Sequence, residues 1–252
     1  MTQGGAPGRL IGSGRAADVY ELGRGRVLRR YRTAVGVADE ERLAAHVARE
    51  ARLMEYLWSV GFPVPQVIGT DGADMIMARV DGVDLLSDLA RRPWRARVHA
   101  STLARMHDQL HKIEAPSWLP RPFGQGAPGR VQSGTGDRIL HLDLHPGNVM
   151  LTPAGPVVID WSNGSAGPPG ADVAMASLIM RISEVDDLPV PVRLVAGMVR
   201  GTVVRQFERS VSDDPGPHFA DVAKSRLHDR NVRPSEIAIL RRMLDGQAWA
   251  RR

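Results

Sequence analysis

The chain of 252 residues is long enough to bury a sizeable core, as one large domain or as two lobes. It contains no cysteine, which excludes disulfides, thiolate metal sites and cysteine nucleophiles. The formal net charge is +5, but basic and acidic residues are interspersed along the chain and no basic run contains interleaved aromatic residues, so we expect no nucleic-acid partner. No leader-like or membrane-spanning apolar run is visible, and we expect a soluble, cytoplasmic protein.

The first predicted elements are three short strands. The runs RLIGSG, DVYEL and RVLRRY are each a few residues long and are separated by breaks that contain glycine. This pattern predicts a small antiparallel meander. The first break holds Gly12, Ser13 and Gly14, whose glycines would let the backbone approach a phosphate; in isolation such a turn is a weak signal.

A helix is predicted next, from about Asp39 to Val60, with Asp39 as its N-cap and Gly61 as its stop. Glu50 lies near the middle of its apolar face, where one more apolar residue would be expected. The apolar stripe itself consists of Leu43, Val47, Met54 and Leu57. Because an unpaired buried carboxylate is costly, the sequence predicts a cation beside Glu50.

The later elements are a strand at DMIMARV, a short linker and a mostly helical remainder. We place a lobe boundary near residues 78–82, which gives lobes of residues 1–80 and 81–252. A helix is predicted from about Arg95 to Ile113, and the Gly-, Pro- and Ser-rich stretch of residues 116–137 is predicted to be a connecting loop. Beyond it, ILHLDL and GPVVIDW are predicted strands that flank a loop, followed by helices.

Three polar residues, Asp143, Asn148 and Asp160, stand at or beside the ends of these two predicted strands. Taken singly, each has a structural explanation, as a turn cap, as an asparagine that closes a loop, and as the end of a strand. Together they supply hard oxygen groups of the kind that a magnesium phosphate site needs.

The stretch HLDLHPGNVM, followed by VVIDW, resembles the catalytic loop and metal-binding aspartate of the aminoglycoside phosphotransferase family of small-molecule kinases. Protein kinases have H-R-D-x-x-x-x-N in this loop, and His141, Asp143 and Asn148 keep that spacing. The resemblance extends from the turn near Gly12 to at least Asp172. It implies an α+β, bilobal, protein-kinase-like fold, with a small antiparallel β-sheet and one helix in the N-terminal lobe and a larger, mostly helical C-terminal lobe.

The resemblance implies that ATP or GTP binds between the lobes, with Mg²⁺ held by Asn148 and Asp160. Asp143 would orient a substrate hydroxyl and accept its proton. Glu50 matches a helix glutamate that pairs with a strand cation, which agrees with the independent prediction from helix periodicity. The nucleotide-binding residues implied on this basis are Gly12, Ser13, Gly14, Arg29, Glu50, Met77 and Arg79.

The strand cation is the main departure from the family pattern, because RVLRRY offers Arg29 or Arg30 where the family usually has lysine. We favour Arg29, since the residues before it best match the family's hydrophobic pattern. Arginine keeps the charge and can grip a carboxylate or phosphate with two N–H groups, but its guanidinium is bulkier and differently placed. A nucleotide-binding module with little or no turnover is therefore the alternative function.

Neighbouring residues bear on the acceptor. His141 is interpreted as bracing the loop, and Asp172, in GADVA, as supporting it. His145 stands where serine/threonine protein kinases usually have lysine, and no A-P-E segment follows Asp160. The family resemblance thus favours a small-molecule hydroxyl as acceptor, and a protein kinase is the less favoured reading.

The identity of the small molecule is open. An aminoglycoside would need a carboxylate-rich pocket, for which the candidates are Glu184, Asp186 and Asp187, although a solvated acidic turn is the favoured explanation of that cluster. A sugar, an amino alcohol or a related metabolite fits the sequence equally well. We expect a monomer or a homodimer. His107 and His111 have the spacing of a metal-binding pair, but packing between the lobes is favoured for them.

Overall fold

The computed structural model describes residues 8–14, 16–32, 40–122, 137–182, 190–228 and 234–246. Three sequence-based expectations lie outside these ranges: Asp39 as a helix cap, the acidic residues Glu184, Asp186 and Asp187, and residues 123–136 of the connecting loop. Within the described ranges, no helix combines the length and the apolar character needed to cross a bilayer.

The described strands are short and concentrate in the first third of the chain. They are β1 (Leu10–Ser13), β2 (Ala17–Gly23), β3 (Arg26–Tyr31), β4 (Val67–Asp71), β5 (Asp74–Ala78), β6 (Val83–Asp84), β7 (Arg138–Leu140), β8 (Val149–Thr152), β9 (Gly155–Val158) and β10 (Ser165–Gly167).

The helices dominate the later part of the chain. They are α1 (Glu40–Ser59), α2 (Leu85–Arg91), α3 (Ala96–Leu110), α4 (Pro169–Ile182), α5 (Val190–Ser210), α6 (Phe219–Leu227) and α7 (Pro234–Gly246). This order of elements confirms the predicted α+β class, with an antiparallel sheet in the N-terminal region and a helical C-terminal part.

The chain divides into two compact units. The first consists of residues 1–82 and 152–162, and the second of residues 83–151 and 163–252. The division into functional lobes of residues 1–80 and 81–252 stays a prediction.

The first unit contains a five-stranded sheet in the order β1-β2-β3-β5-β4, all of whose pairs are antiparallel. The predicted meander of the first three strands is therefore confirmed. α1 packs against β4 and β5 and buries Val47, Leu53, Met54 and Leu57. Burying a large apolar side chain stabilises the fold by roughly 1.5–3 kcal/mol, so this helix face supplies much of the unit's core.

Gly61 ends α1 as predicted. It has φ of +80°, a left-handed conformation that favours glycine. The amides of Gly61 and Phe62 donate to the carbonyls of Trp58 and Leu57, at 3.0 and 2.9 Å. These two bonds satisfy carbonyl groups that the last helical turn would otherwise leave without partners.

The second unit is built around α4, which is buried on nearly every face. α4 packs against α5 and α6, and α3 packs along α5. The core of the second unit includes Leu140, Leu178, Phe219, Val222 and Leu240. β7 pairs antiparallel with β10, and β6 with β8, so the strands of this unit form two small ladders beside the helices.

The structure corrects several predicted element boundaries. The strand predicted over ILHLDL ends at Leu140, because Leu142 adopts φ of +58° and leaves extended geometry. The strand predicted over GPVVIDW ends at Val158, just before Asp160 with φ of +64°. The helix predicted to reach Ile113 ends at Leu110. β4 and β8 were not predicted, since the prolines of FPVPQVIG and the polar loop obscured them.

Candidate active site

Arg29, on β3, is the central cation of the first unit. Its Nη1 donates to Glu50 Oε1 at 2.9 Å, and its Nη2 donates to Asp160 Oδ1 at 2.5 Å. The guanidinium also lies over the Tyr31 ring, with 4.8 Å between Cζ and the ring centroid. The ion pair expected for Glu50 is therefore present.

The structure also decides between the two arginines of RVLRRY. Successive residues of a strand point to opposite faces of the sheet. Arg29 faces inward and is buried, whereas Arg30 pairs with Asp74 at the surface, with 42% of its side chain exposed. The strand cation is Arg29, as the hydrophobic pattern indicated.

Glu50 is held by three donors. Its Oε1 accepts from Arg29 and from the backbone N–H of Trp161 at 3.1 Å, and its Oε2 accepts from the Tyr31 hydroxyl. Burial raises the pKa of Glu50, and the charge of Arg29 opposes that rise. Burial alone would lower the pKa of Arg29, but the carboxylates of Glu50 and Asp160 outweigh it and raise that pKa, so Arg29 keeps its charge.

Asp160 lies in a turn that follows β9 and is fixed by its neighbours. Its left-handed φ of +64° is uncommon for a residue with a side chain. Oδ1 accepts from Arg29 and from Ser162 Oγ at 3.0 Å, and 38% of the side chain remains exposed. The next residue, Trp161, is buried, donates from Nε1 to Val158 O at 3.1 Å and meets the Phe62 ring edge-on. Trp161 thus anchors the turn that presents Asp160.

The sequence did not indicate the roles of Tyr31 and of the Trp161 amide. The period of the strand supplies a signal for Tyr31, because it stands two residues after Arg29 and so shares its face. The Trp161 amide has no such signal, since its partner is 111 residues away in the sequence.

The remaining residues predicted to bind nucleotide also belong to the first unit. Gly12 and Ser13 end β1, and Gly14 follows, with its amide bonded to Ala17 O at 2.9 Å. Met77 is a buried residue of β5.

Arg79 follows β5 and pairs with Glu21 and with Asp81, the latter at 2.7 Å. Ser13 Oγ donates to Asp18 Oδ1 at 2.7 Å. The nucleotide-binding roles of these residues stay predictions.

In the second unit, Asp172 of α4 holds the loop between β7 and β8. Its Oδ2 accepts from the amide of His141 at 3.1 Å, and its Oδ1 accepts from the amide of Leu142 at 2.7 Å. The left-handed conformation of Leu142 turns these successive amides toward one carboxylate. Burial alone would raise the pKa of Asp172, but the hydrogen bond from His111 and nearby histidines lower it well below its usual range. The predicted supporting role of Asp172 is confirmed.

Asp143 and Asn148 are brought together by this loop. The Asn148 side-chain Nδ2 donates to the backbone oxygen of Asp143 at 2.8 Å and to its carboxylate Oδ2 at 3.3 Å. His141 is fully buried, and its Nδ1 accepts from the Asp143 amide at 3.2 Å. The predicted bracing role of His141 is therefore present, and Asp143 is oriented on both its backbone and its side chain.

His145 and Gly147 close the same loop. His145 Nδ1 accepts from the Gly147 amide at 3.0 Å and so caps the short helical turn Pro146–Asn148. A Cβ on Gly147 would lie 2.8 Å from His145 Cε1, closer than packed atoms come. His145 Nε2 lies 3.9 Å from Asp143 Oδ1. His145 is thus a structural cap beside the candidate base, a role that its sequence position alone did not indicate.

The expectation that His107 and His111 pack between lobes is wrong. Both are buried inside the second unit, where His107 meets the Phe207 ring and His111 bonds Asp172 and Asp213. They face carboxylates and a ring of their own unit because α3 packs along α5. Among the described residues, no group of three or more His, Asp or Glu residues is arranged to hold a metal ion.

The chemistry of the donors nevertheless fits magnesium. Asn148 uses its amide nitrogen within the loop, so its amide oxygen is the atom that remains to face a cation. Asp160 offers a partly exposed carboxylate. Carboxylate and amide oxygens are hard ligands, which Mg²⁺ prefers, usually together with water and phosphate oxygens.

Comparisons with known proteins agree with this chemistry. The model of the phosphotransferase enzyme family (APH) matches residues 7–133 and 132–201 of the chain. No curated protein sequence matches this chain.

Among solved structures, the streptomycin–ATP–APH(2″)-IIa ternary complex has a TM-score of 0.56 at 14% identity, covering 88% of this chain and 81% of that one. An ethanolamine kinase from Plasmodium vivax has a TM-score of 0.55 at 12% identity, covering 95% and 80%. Amicoumacin kinase in complex with AMP-PNP and Ca²⁺ has a TM-score of 0.54 at 10% identity, covering 95% and 88%. At these identities the likeness establishes the fold, which is the kinase-like fold that the loop motif implied.

Proposed function

The chain belongs to the phosphotransferase enzyme family, and from this premise we propose that it transfers the γ-phosphoryl group of ATP to a hydroxyl of a small molecule. The observation that carries the proposal is the geometry of Asp143. Its amide is bonded to His141 and its carboxylate to Asn148, in a loop that Asp172 holds through two further amides. A carboxylate fixed in this way is suited to orient one hydroxyl.

In the proposed reaction, Asp143 accepts a hydrogen bond from the acceptor hydroxyl. The hydroxyl oxygen forms a bond to the γ-phosphorus, the bond between that phosphorus and the β,γ-bridging oxygen breaks, and ADP leaves with the electron pair. The hydroxyl proton passes to the Asp143 carboxylate late in the transfer. Because the transition state is loose, positioning and charge stabilisation supply most of the rate enhancement.

Asn148 and Asp160 are the residues that we propose hold Mg²⁺. Bound Mg²⁺ would neutralise charge on the phosphates. Asn148 would serve twice, because its nitrogen orients Asp143 while its oxygen faces the cation. Asp160 is held in place by Arg29, whose Nη2 donates to Asp160 Oδ1.

ATP as the phosphoryl donor is supported by two of the similar structures, which contain ATP and AMP-PNP. We propose that the turn at Gly12, Ser13 and Gly14 covers the phosphates and that Met77 and Arg79 lie beside the nucleotide. Arg29 keeps its positive charge in the place where the family usually has lysine. GTP remains the alternative donor.

The proposed acceptor is a small molecule that carries a hydroxyl, such as an aminoglycoside, a sugar or an amino alcohol. The similar structures include an ethanolamine kinase and a complex with streptomycin, both of which involve amine-bearing hydroxyl compounds. His145 stands where serine/threonine protein kinases usually have lysine, and this supports a small-molecule acceptor over a protein. We propose that the reaction takes place in the cytoplasm, with which a chain that lacks cysteine is compatible, and that the enzyme is a monomer or a homodimer.

A nucleotide-binding module without turnover is the second candidate, and Arg29 is the observation that favours it, because its guanidinium is committed to two carboxylates. The two functions are separated by measuring Mg²⁺-dependent ATP binding together with product formation on a panel of aminoglycosides, sugars, amino alcohols and peptides. We expect a phosphorylated small molecule. ATP binding without transfer to any panel member supports the binding module instead, and transfer only to peptides supports a protein kinase.

A further inference from the structure

His111 follows α3 and lies between two carboxylates. Its Nδ1 is 2.7 Å from Asp213 Oδ2, and its Nε2 is 3.1 Å from Asp172 Oδ2. Only 4% of its side chain is exposed. An ionised carboxylate can only accept hydrogen bonds, so both ring nitrogens must donate, and the ring is an imidazolium. The three side chains therefore form a row of alternating charges, in which His111 and Asp172 are buried and Asp213 is partly exposed.

The groups around His111 leave it as the cation of this cluster. Asp172 faces it from α4, Asp213 from the turn after α5, and His107 from α3, with 5.7 Å between the two ring centroids. His141 adds a further imidazole beside Asp172 and His107. Burial lowers the pKa of His107 to about 4, so that ring is neutral. Burial also acts to lower the pKa of His111, but its two carboxylate partners outweigh it and raise that pKa to about 9.

The two carboxylates lead to different parts of the second unit. Asp172 accepts hydrogen bonds from the amides of His141 and Leu142 and so holds the loop that contains Asp143. Asp213 belongs to the turn after α5, where the Ser212 amide also bonds Asp108 of α3 at 2.9 Å. His111 is the side chain that both of these segments share.

We propose that His111 is a positioning residue for phosphoryl transfer: while its ring carries both protons, it ties the turn at Ser212–Asp213 to the Asp172 carboxylate that holds the catalytic loop. Loss of one proton leaves one carboxylate facing a ring lone pair. That repulsion weakens the hold of Asp172 on the two loop amides, and Asp143 becomes less well ordered. The transfer step rests on the proposed function, but the tie between His111 and the loop does not.

The first test reads the loop directly and needs no substrate. Protection of the His141 and Leu142 amides from hydrogen exchange is measured by NMR in the wild type, His111→Gln and Asp213→Asn. At pH 7, His111→Gln is expected to lower their protection about tenfold, the effect of roughly one hydrogen bond. In the wild type, protection falls as pH rises through the titration of His111, followed by its ring signals. In Asp213→Asn the midpoint moves to lower pH by about 1, because one carboxylate partner is gone.

His228→Gln is the matched control, because His228 is exposed at the end of α6 and its ring Nδ1 bonds the Lys224 carbonyl of the same helix. It is expected to leave protection of both amides unchanged. Equal protection in the wild type and His111→Gln, at every pH from 7 to about 9.5, overturns the proposal.

The second test uses the acceptor found in the panel. The wild-type kcat is expected to fall at alkaline pH with the midpoint of the His111 titration, while the KM for ATP changes little. His111→Gln should have a lower kcat and lack this alkaline limb. If the amides respond as expected but kcat keeps the same alkaline limb in His111→Gln, the tie exists but does not position the reaction, and the proposal fails. If no acceptor is phosphorylated, the proposed function fails while the exchange result still stands.

Discussion

Removing the guanidinium of Arg29 should destabilise the first unit far more than removing that of its neighbour. Arg29→Met leaves Glu50 with 1% of its side chain exposed and without its counter-ion. Removal of one partner from a buried ion pair costs about 3–5 kcal/mol. The lost bond to Asp160 adds less, since that side chain is 38% exposed. Methionine preserves most of the packing volume, so the loss of stability arises from the uncompensated carboxylate.

Arg30→Met is the matched control, with the same substitution in the next position of the same strand. The Arg30–Asp74 pair is 42% and 24% exposed, and such a pair contributes about 0–1 kcal/mol. Urea denaturation followed by circular dichroism gives both free energies of unfolding. Burial raises the pKa of Glu50, and loss of Arg29 removes the group that opposes this rise, so the loss of unfolding free energy in Arg29→Met, relative to the wild type, should shrink from pH 8 toward pH 5 as Glu50 takes up a proton. A deficit no larger than that of Arg30→Met would refute the assignment of Arg29 as the counter-ion of Glu50.

Three further outcomes are expected. The pKa of His111 rises from 6.5 to about 9 on folding, so its stabilisation, about 3 kcal/mol, is fully present below pH 6.5 and is lost as pH increases through 9; urea titrations across this range should show the fall in the wild type but not in His111→Gln. Gly147→Ala should displace the His145 ring, which a Cβ would approach to 2.8 Å, and lower kcat by up to about 100-fold with a stability change below about 1 kcal/mol; an unchanged kcat contradicts the capping role of His145. Gly61→Ala should cost about 1 kcal/mol because of its φ of +80°, whereas Gly197→Ala, inside α5 with open space around it, should gain about as much; equal thermal shifts for the two variants would contradict this reasoning.

Local patterns in the sequence located Glu50 and its cation. The apolar stripe of α1 placed a carboxylate on a buried face, and elementary electrostatics demanded a partner. The match to the family's hydrophobic pattern then favoured Arg29 over Arg30, and strand alternation explains why one is buried and the other exposed. Strand-like and helix-like periods are properties of short windows, and they predicted the small sheet at the start of the chain and the helices after it. The protein-kinase-like fold was implied by the resemblance of HLDLHPGNVM and VVIDW to the family.

Contacts between distant residues could not be obtained in this way. The strand predicted over ILHLDL ends early because Asp172, about thirty residues further along the chain, captures the amides of His141 and Leu142. Likewise Asp213 meets His111 across 102 residues, so the pair HDQLH gave no sign of its partner. These pairs of distant residues are brought together by the packing of α3, α4 and α5, and no local sequence pattern encodes that packing.

The proposed function is tested most directly by comparing ATP binding and phosphoryl transfer in the wild type and Asp143→Asn. Asparagine keeps the shape of Asp143 but cannot accept the hydroxyl proton as a carboxylate does. With the acceptor identified from the panel, we expect Asp143→Asn to bind MgATP as the wild type does and to lose transfer by about 100-fold or more. Transfer by Asp143→Asn at the wild-type rate would contradict the assignment of Asp143 as the base.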